Sequence, residues 1–584
     1  MAGLRGARPR LTDKPTMVLD TRRVGLTLRE RGSDVSEPER RVGSVTYKEV
    51  GEEYFEQRGL RRHAGVWSLW ALGVGAVISG DFYGWNAGLI TGGFGGLLIA
   101  TAVIAVMYYG LCYSIAEMSP ALPHTGGAYS FARSAMGPWG GFLTGLAENM
   151  EYVITPAVVV AAMGVLMHDI MAGLLDITGD PFWNSEPFWW AVFYVIFVGI
   201  NIIGIEATMR FTVGITVVAL GILIFFYVAA LVSGKFDFGL LFNIPDGGGD
   251  PLPDGGGPFL PFGISGIFKA LPFAIWFYLA IEEVPLAAEE SMDPQRDVPK
   301  GTIWGMHTLL IASVLTLFIN SGVDGGASAI GASGTPLFDG FKGVFGDGTA
   351  AELLGLIGLL GLIASFFTII YAYGRNTYSL SRAGYFPAFL SKTGGVRKTP
   401  YVALIAGAIL GYFVVWLVWY LGRQEGDAAG QIVAAVLYMA VFAAVISYTL
   451  QCISFVLLRR KLPNIARPYV SPWGEAGAMI AGIIAVVSLF SIFLNADYRP
   501  GVYGVAVYYV LGVIYFAIAG RHRLVLSPEE EFALTHGERG VPEAAGYRTS
   551  REEQEAILRG ETRSSPPPTT PPPTMPPTMP PSDG

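Results

Sequence analysis

Charge is what this chain has least of. Asp, Glu, Lys and Arg make up only 15% of its 584 residues, where soluble domains carry about 25%. With 52% hydrophobic residues and a mean hydropathy of +0.46, the composition excludes a soluble globular protein and specifies a polytopic membrane protein. Cysteine is nearly absent. Cys112 and Cys452 both lie in apolar stretches, which reads as two small buried hydrophobes rather than a disulfide or a metal site. The net charge of −8 lies mainly in loops and tails, and nothing suggests nucleic-acid binding. No His-Glu-x-x-His or comparable nucleophile or metal set is found, which argues against a membrane enzyme acting on lipid head groups. The tails offer no output domain for a sensor or receptor. The first 60 or so residues are polar and lack the hydrophobic core of a signal peptide.

What is present is a series of apolar runs. Twelve are long enough for a hydrocarbon core of about 30 Å: roughly 66–89, 95–118, 139–174, 187–204, 210–233, 263–288, 302–323, 351–379, 401–421, 429–458, 474–495 and 501–519. The connector 234–262 is rich in Gly, Pro and Asp and reads as an exposed loop. With the N-terminus inside, the inner loops contain thirteen Lys and Arg residues: Arg133, Arg210, Arg296, Lys300, Arg375, Arg382, Lys392, Arg397, Lys398, Arg459, Arg460, Lys461 and Arg467. The outer loops contain four, Lys235, Lys342, Arg423 and Arg499. This asymmetry predicts both termini on the cytoplasmic side of the plasma (inner) membrane.

The tails look like poor core material. Residues 1–45 are polar and Arg-rich, and 524–563 are charged, with one short helix expected after the capping-box pattern at Thr549. Residues 564–584 hold ten prolines and read as a disordered or polyproline II segment, passive rather than a docking motif.

Within the apolar runs, carboxylates stand out. Asp81 lies in the first, where a charge at mid-membrane depth costs about 2.5–3.5 kcal/mol even on lenient scales. The glycines around it predict that the helix breaks near Ile78-Ser79-Gly80-Asp81. The sixth run carries Pro272, Trp276, Tyr278, Glu282, Glu283 and Pro285, and two prolines with two carboxylates predict a second break. Paired breaks in two halves point to an inverted repeat around a mid-membrane site, with free amides and carbonyls to meet ions. Glycine and proline there would also serve close packing or a simple kink. Such a closed site disfavours a channel.

At these residues the chain resembles the amino acid–polyamine–organocation transporter superfamily, over about 60–520. The strongest likeness is Ala287-Ala-Glu-Glu290-Ser-Met-Asp-Pro294-Gln-Arg296-Asp-Val-Pro299-Lys300. Supporting matches are Glu117-Met-Ser-Pro120 with His124-Thr-Gly126-Gly127-Ala-Tyr129, and Arg375-Asn-Thr-Tyr378-Ser-Leu-Ser-Arg382-Ala-Gly384. The resemblance implies an all-α leucine-transporter-like fold of twelve transmembrane helices, five plus five in inverted repeat with two more, and secondary transport by alternating access. It divides the chain into a tail (1–60), a first repeat (61–233), the connector (234–262), a second repeat (263–458), two further helices (459–520) and a Pro-rich tail (521–584).

Within the superfamily the chain looks most similar to ethanolamine permeases, on Trp70 to Asn86, Pro120 to Ser130 and Gly145 to Pro156. Many amino-acid permeases resemble G-x-G in the first break, with bare amides for the substrate carboxylate. Here Asp81 stands where the last glycine would be. A fixed carboxylate repels an acid and suits an ammonium, which separates ethanolamine from an amino acid.

The expected substrate site is therefore Ile78, Ser79, Gly80, Asp81, Glu148, Glu151, Trp276 and Tyr278. Asp81 with Glu148 or Glu151 would receive the ammonium, and Ser79, Gly80 and open backbone groups the hydroxyl. Trp276 matches the family's aromatic gate, and it and Tyr278 offer cation–π faces. Glu282 matches a family Glu linked to proton coupling. Each of these also has a plain structural reading: a hydrogen-bonded buried acid, or aromatic core. Glu283 reads as structural or loop-facing, Glu117 as a cap or ion-pair partner, and His307 as a satisfied core histidine. The fifth span has no lysine, so relatives that couple through an amine there are no template. The expected cargo is ethanolamine or a similar small amino alcohol, with a proton or sodium as coupling ion and no cofactor, metal or catalytic residue. The rival is an amino-acid permease in which Asp81 is structural.

Overall fold

The computed structural model describes residues 39–525 apart from 43, 49–53, 55–57, 123–125, 176, 178–180, 245–257, 347, 425–426, 464 and 495–497. His124, most of the Gly/Pro/Asp connector, the helix expected after Thr549 and the Pro-rich 564–584 lie outside the described residues.

Among the described residues fifteen α-helices follow in order: α1 Val66–Val77, α2 Ser79–Phe82, α3 Ala87–Ala121, α4 Ala128–Leu174, α5 Glu186–Ile203, α6 Ile205–Val232, α7 Gly263–Ile275, α8 Pro294–Ser321, α9 Gly326–Ala332, α10 Pro336–Phe345, α11 Thr349–Arg382, α12 Tyr401–Gly422, α13 Asp427–Lys461, α14 Gly474–Ser491 and α15 Arg499–Ile518. Ten stretches among the described residues are long and apolar enough to cross a membrane. Two shorter apolar ones, Val66–Phe82 and Gly263–Ile275, are the interrupted first and sixth spans. The chain is a multi-pass, all-α membrane protein. Large apolar side chains such as Val195, Ile311, Ile483 and Leu511 are exposed on its flanks, as expected where lipid is the solvent.

Both breaks exist, and each differs in detail from its sequence pattern. Around Ile78–Asp81 the backbone stays helical, tightened so that the Asp81 amide donates to the Ile78 carbonyl at 3.0 Å. The chain leaves the helix one turn later, at Tyr83 (φ −159°) and Gly84 (φ 96°). Helix resumes at Ala87 and turns at Gly93, so 87–92 complete the first span and 94–121 form the second. In the sixth span the helix ends after Ile275. Ala280 adopts a left-handed conformation (φ 82°), and a 3-10 segment runs over Ile281–Glu290. A non-glycine residue held there costs about 1–3 kcal/mol.

The third span begins earlier than its hydrophobicity indicates. Helix α4 starts at Ala128 and bends at Gly137, whose φ of 78° only glycine adopts readily, followed by Pro138. Residues 128–136 thus form a separate arm. The N-terminal tail also has structure its polarity did not announce. Strands β1 Glu39–Val42 and β2 Val45–Lys48 pair antiparallel, and β3 Leu524–Val525 adds in parallel beside Tyr47 and Lys48. Val45, Tyr47 and Leu524 pack with Tyr129, Leu380 and Phe516, and the Val525 amide donates to the Ala383 carbonyl at 3.0 Å. The first and last described segments meet against α4 and α11.

Candidate functional site

The two breaks touch at backbone level. A Cβ on Gly80 would lie 1.9 Å from the Trp276 carbonyl oxygen, so only glycine lets them approach. The Trp276 ring lies against Gly84, 3.1–3.4 Å from where a Cβ would be. Beside it, Trp85 stacks on Phe277 at 5.4 Å. Ser79 donates through Oγ to Ser365 Oγ at 2.8 Å, and the Ser365 hydroxyl bonds the Ala76 carbonyl, which ties the first span to α11. Ile78 is fully buried.

Asp81 is fully buried. Its Oδ1 accepts from Thr316 Oγ1 of α8 at 3.0 Å, and that hydroxyl also meets Tyr227 of α6 at 2.6 Å. Its Oδ2 has no hydrogen-bond partner among the described residues. Tyr278 hydrogen-bonds Ser313 of α8 at 2.9 Å, and its ring lies 5.4 Å from Tyr108 of α3.

The other carboxylates form a second centre with different partners. Glu148 accepts from Asn376 Nδ2 at 3.0 Å and from the amides of Ala128 and Tyr129. It caps the start of the short arm of α4 and is saturated there. Glu151 accepts from Tyr448 of α13 at 3.1 Å. Glu282 accepts from Tyr152 at 3.4 Å. The Glu151 and Glu282 carboxyls lie beside each other. Each keeps an Oε2 without a donor, and Glu283 has neither oxygen partnered among the described residues. Tyr108 reaches this centre through a 3.2 Å bond with Tyr448. The acids expected to act jointly with Asp81 thus have hydrogen-bond partners on α4, α11, α13 and the 3-10 segment, while Asp81 is bonded to α8.

Two minor expectations change and a third holds. Glu283 is fully buried, not loop-facing. His307 is exposed on the flank of α8, bonding the Ile303 carbonyl at 2.7 Å, not a core residue. Glu117 does pair: it binds Arg459 and Arg467 (2.6 and 3.1 Å) and accepts from the Ser471 amide at 2.7 Å.

At the end of the bundle nearest the N-terminal segment a buried bolt closes the site. Glu290 and Arg375 form a two-pronged pair at 3.0 and 3.1 Å, with 1% and 0% exposure. Tyr371 donates to Glu290, and the Arg375 guanidinium lies 3.7 Å from the Tyr371 ring centroid. The Glu290 carbonyl accepts from the amides of His63 and Ala64, both at 2.8 Å, and the Met292 amide donates to Ala64. Glu289 pairs with Arg382. At the opposite end Asn86 donates to the carbonyls of Ile330 and Ser333, each at 2.8 Å. A cavity of about 30 Å³ lies there, lined by Phe82, Tyr83, Leu166, Phe338 and Leu362, room for about one water. Thr316, Tyr448, Asn376 and Arg375 complete these clusters, and sequence reasoning singled out none of them as part of the site.

A model of the amino acid permease family matches residues 65–518. Among curated proteins the chain is 29% identical to an uncharacterized transporter of Rhizobium meliloti, over 78% of this chain and 92% of the relative. It is 24% identical to a branched-chain amino acid permease of Bacillus subtilis, over 80% and 95%. To the methylthioribose transporter of the same organism it is 23% identical, over 80% and 96%.

Proposed function

The chain belongs to the amino acid permease family, and from that premise we propose that this transporter imports ethanolamine, or a similar small ammonium-bearing molecule, by alternating access. The observation that carries the reading is Asp81. Its Oδ2 is buried without a donor among the described residues, beside the point where the two broken helices meet. A carboxylate oxygen in that position supports an ammonium as its missing partner. The same carboxylate disfavours a substrate acid in the first break. Trp276, resting on Gly84, is in reach to close over the cargo.

Coupling is assigned to the Glu151–Glu282 pair, with Tyr448 and Tyr152 orienting it. Two neighbouring buried carboxyls are best accommodated with one of them protonated, and this supports proton over sodium linkage. Glu148, saturated by Asn376 and the arm amides, takes a structural role. The Lys and Arg asymmetry supports cytoplasmic termini.

An amino-acid substrate is the rival, and the family description with the branched-chain amino acid permease among the relatives favours it. In that reading the Thr316 bond marks Asp81 as structural. Uptake of radiolabelled ethanolamine into proteoliposomes under an imposed pH gradient separates the two. Ethanolamine uptake that is lost in Asp81→Asn supports the proposal. Parent-level uptake by Asp81→Asn, or competition by neutral amino acids but not ethanolamine, would sink it.

A further inference from the structure

We propose that a cleft at the start of α8 holds the headgroup of an anionic phospholipid. The cleft, of about 440 Å³, is lined by Asp293, Arg296, Lys300, Trp304 and Tyr469 among others. Arg296 is exposed and Lys300 half-buried. Neither forms an ion pair among the described residues, unlike Arg375, Arg382, Arg459, Arg460 and Arg467, which all do. Asp297, the neighbouring acid, is buried and does not line the cleft, although Arg296 and Lys300 both act on its charge. Within the lining two cations face one carboxylate, Asp293, and Arg296 stands exposed to meet a headgroup's negative charge.

The surroundings specify a lipid rather than a soluble anion. Helix α8 presents one outward stripe in which the charged pair at 296 and 300 gives way to exposed Trp304, then Ile311 and Leu315. This is the order headgroup, interface, acyl chain. Trp304 lies 5.5 Å from Trp67, itself exposed, and Trp70 fixes the layer by donating to Thr308 at 3.1 Å. On the far side Trp473 meets Tyr113 and Tyr109 at 5.4 and 6.2 Å. Such an aromatic belt marks the level of the glycerol backbone. Basic pockets between helices at that level on the cytoplasmic side take anionic headgroups, and the Lys and Arg count assigns this end to the cytoplasm.

The test uses the purified full chain in detergent, with thermal unfolding followed as dioleoyl phosphatidylglycerol, dioleoyl phosphatidylcholine or glycerol 3-phosphate is titrated. Phosphatidylglycerol is expected to raise the midpoint, and the other two to leave it in place. Arg296→Gln and Lys300→Gln should each weaken the phosphatidylglycerol effect about fivefold in concentration, whereas the charge-keeping pair Arg296→Lys with Lys300→Arg should retain it. Arg296 is exposed, so its single variant keeps the test open if the Lys300 variant does not fold. An unchanged response in Arg296→Gln, an equal response to phosphatidylcholine, or an equal response to glycerol 3-phosphate overturns the proposal.

Discussion

Replacing Glu290 with Gln removes the carboxylate bonded to Arg375 and leaves a guanidinium with 0% exposure. Its Nη1 already lacks a partner among the described residues, and Gln offers one neutral carbonyl oxygen in place of a charged two-oxygen acceptor. Breaking a buried pair from one side costs about 3–5 kcal/mol. That cost falls on the closed arrangement of this end, because opening it returns Arg375 to water. The ratio of open to closed molecules should then rise on the order of 10²–10³-fold. An Ala64→Cys reporter, at a buried position whose amide bonds the Glu290 carbonyl, reads this directly in a background with Cys112 and Cys452 replaced. Glu290→Gln should speed its labelling by a hydrophilic maleimide and lower the unfolding midpoint. Adding Arg375→Met should recover most of the stability, because no charge is then stranded. Labelling and melting at parent values in Glu290→Gln would refute the account of this pair as the bolt.

Three further outcomes are expected. Gly80→Ala should insert at parental levels, since the clash is local, but lose uptake on the order of tenfold or more, because its Cβ forces the Trp276 backbone away; normal uptake would show that the breaks need not touch. Glu117→Ala should destabilise the fold by about 3 kcal/mol, stranding Arg459, Arg467 and the Ser471 amide, which thermal unfolding in detergent measures against Glu475→Ala as an exposed-pair control. Cys112 and Cys452, with 1% and 3% exposure, should resist maleimide in native membranes and react after denaturation in detergent, and rapid native labelling of Cys112 would contradict the packing of α3.

The sequence exposed some parts of the site and hid others for a physical reason. Asp81, Glu151, Glu282 and the Gly and Pro residues near them are visible in one dimension because each is costly in an apolar helix. Thr316, Ser365 and Tyr448 carry no such signal. Hydroxyls are inexpensive in membrane helices, as Thr101, Thr144 and Thr212 show by bonding the carbonyl four residues back. Arg375 was counted as a loop charge because its position near the end of a helix looks like many others. The exit at Tyr83 instead of Ser79 escaped notice because Gly84 and Gly80 are equally plausible hinges; the contact between Gly80 and Trp276 decides which one serves packing.

By itself the sequence determined that this is a helical membrane protein, how many spans it has, and that two of them are broken around buried acids. Those follow from hydrophobic length and from the cost of charge in hydrocarbon, both local properties of the chain. Only the tertiary structure decided which acid meets which donor. It turned Asp81 toward Thr316, gave Glu148 to the α4 arm, set Glu151 beside Glu282 and locked Glu290 to Arg375. The reason is that those partners lie on other helices, and a partner across the bundle leaves no period or spacing to read.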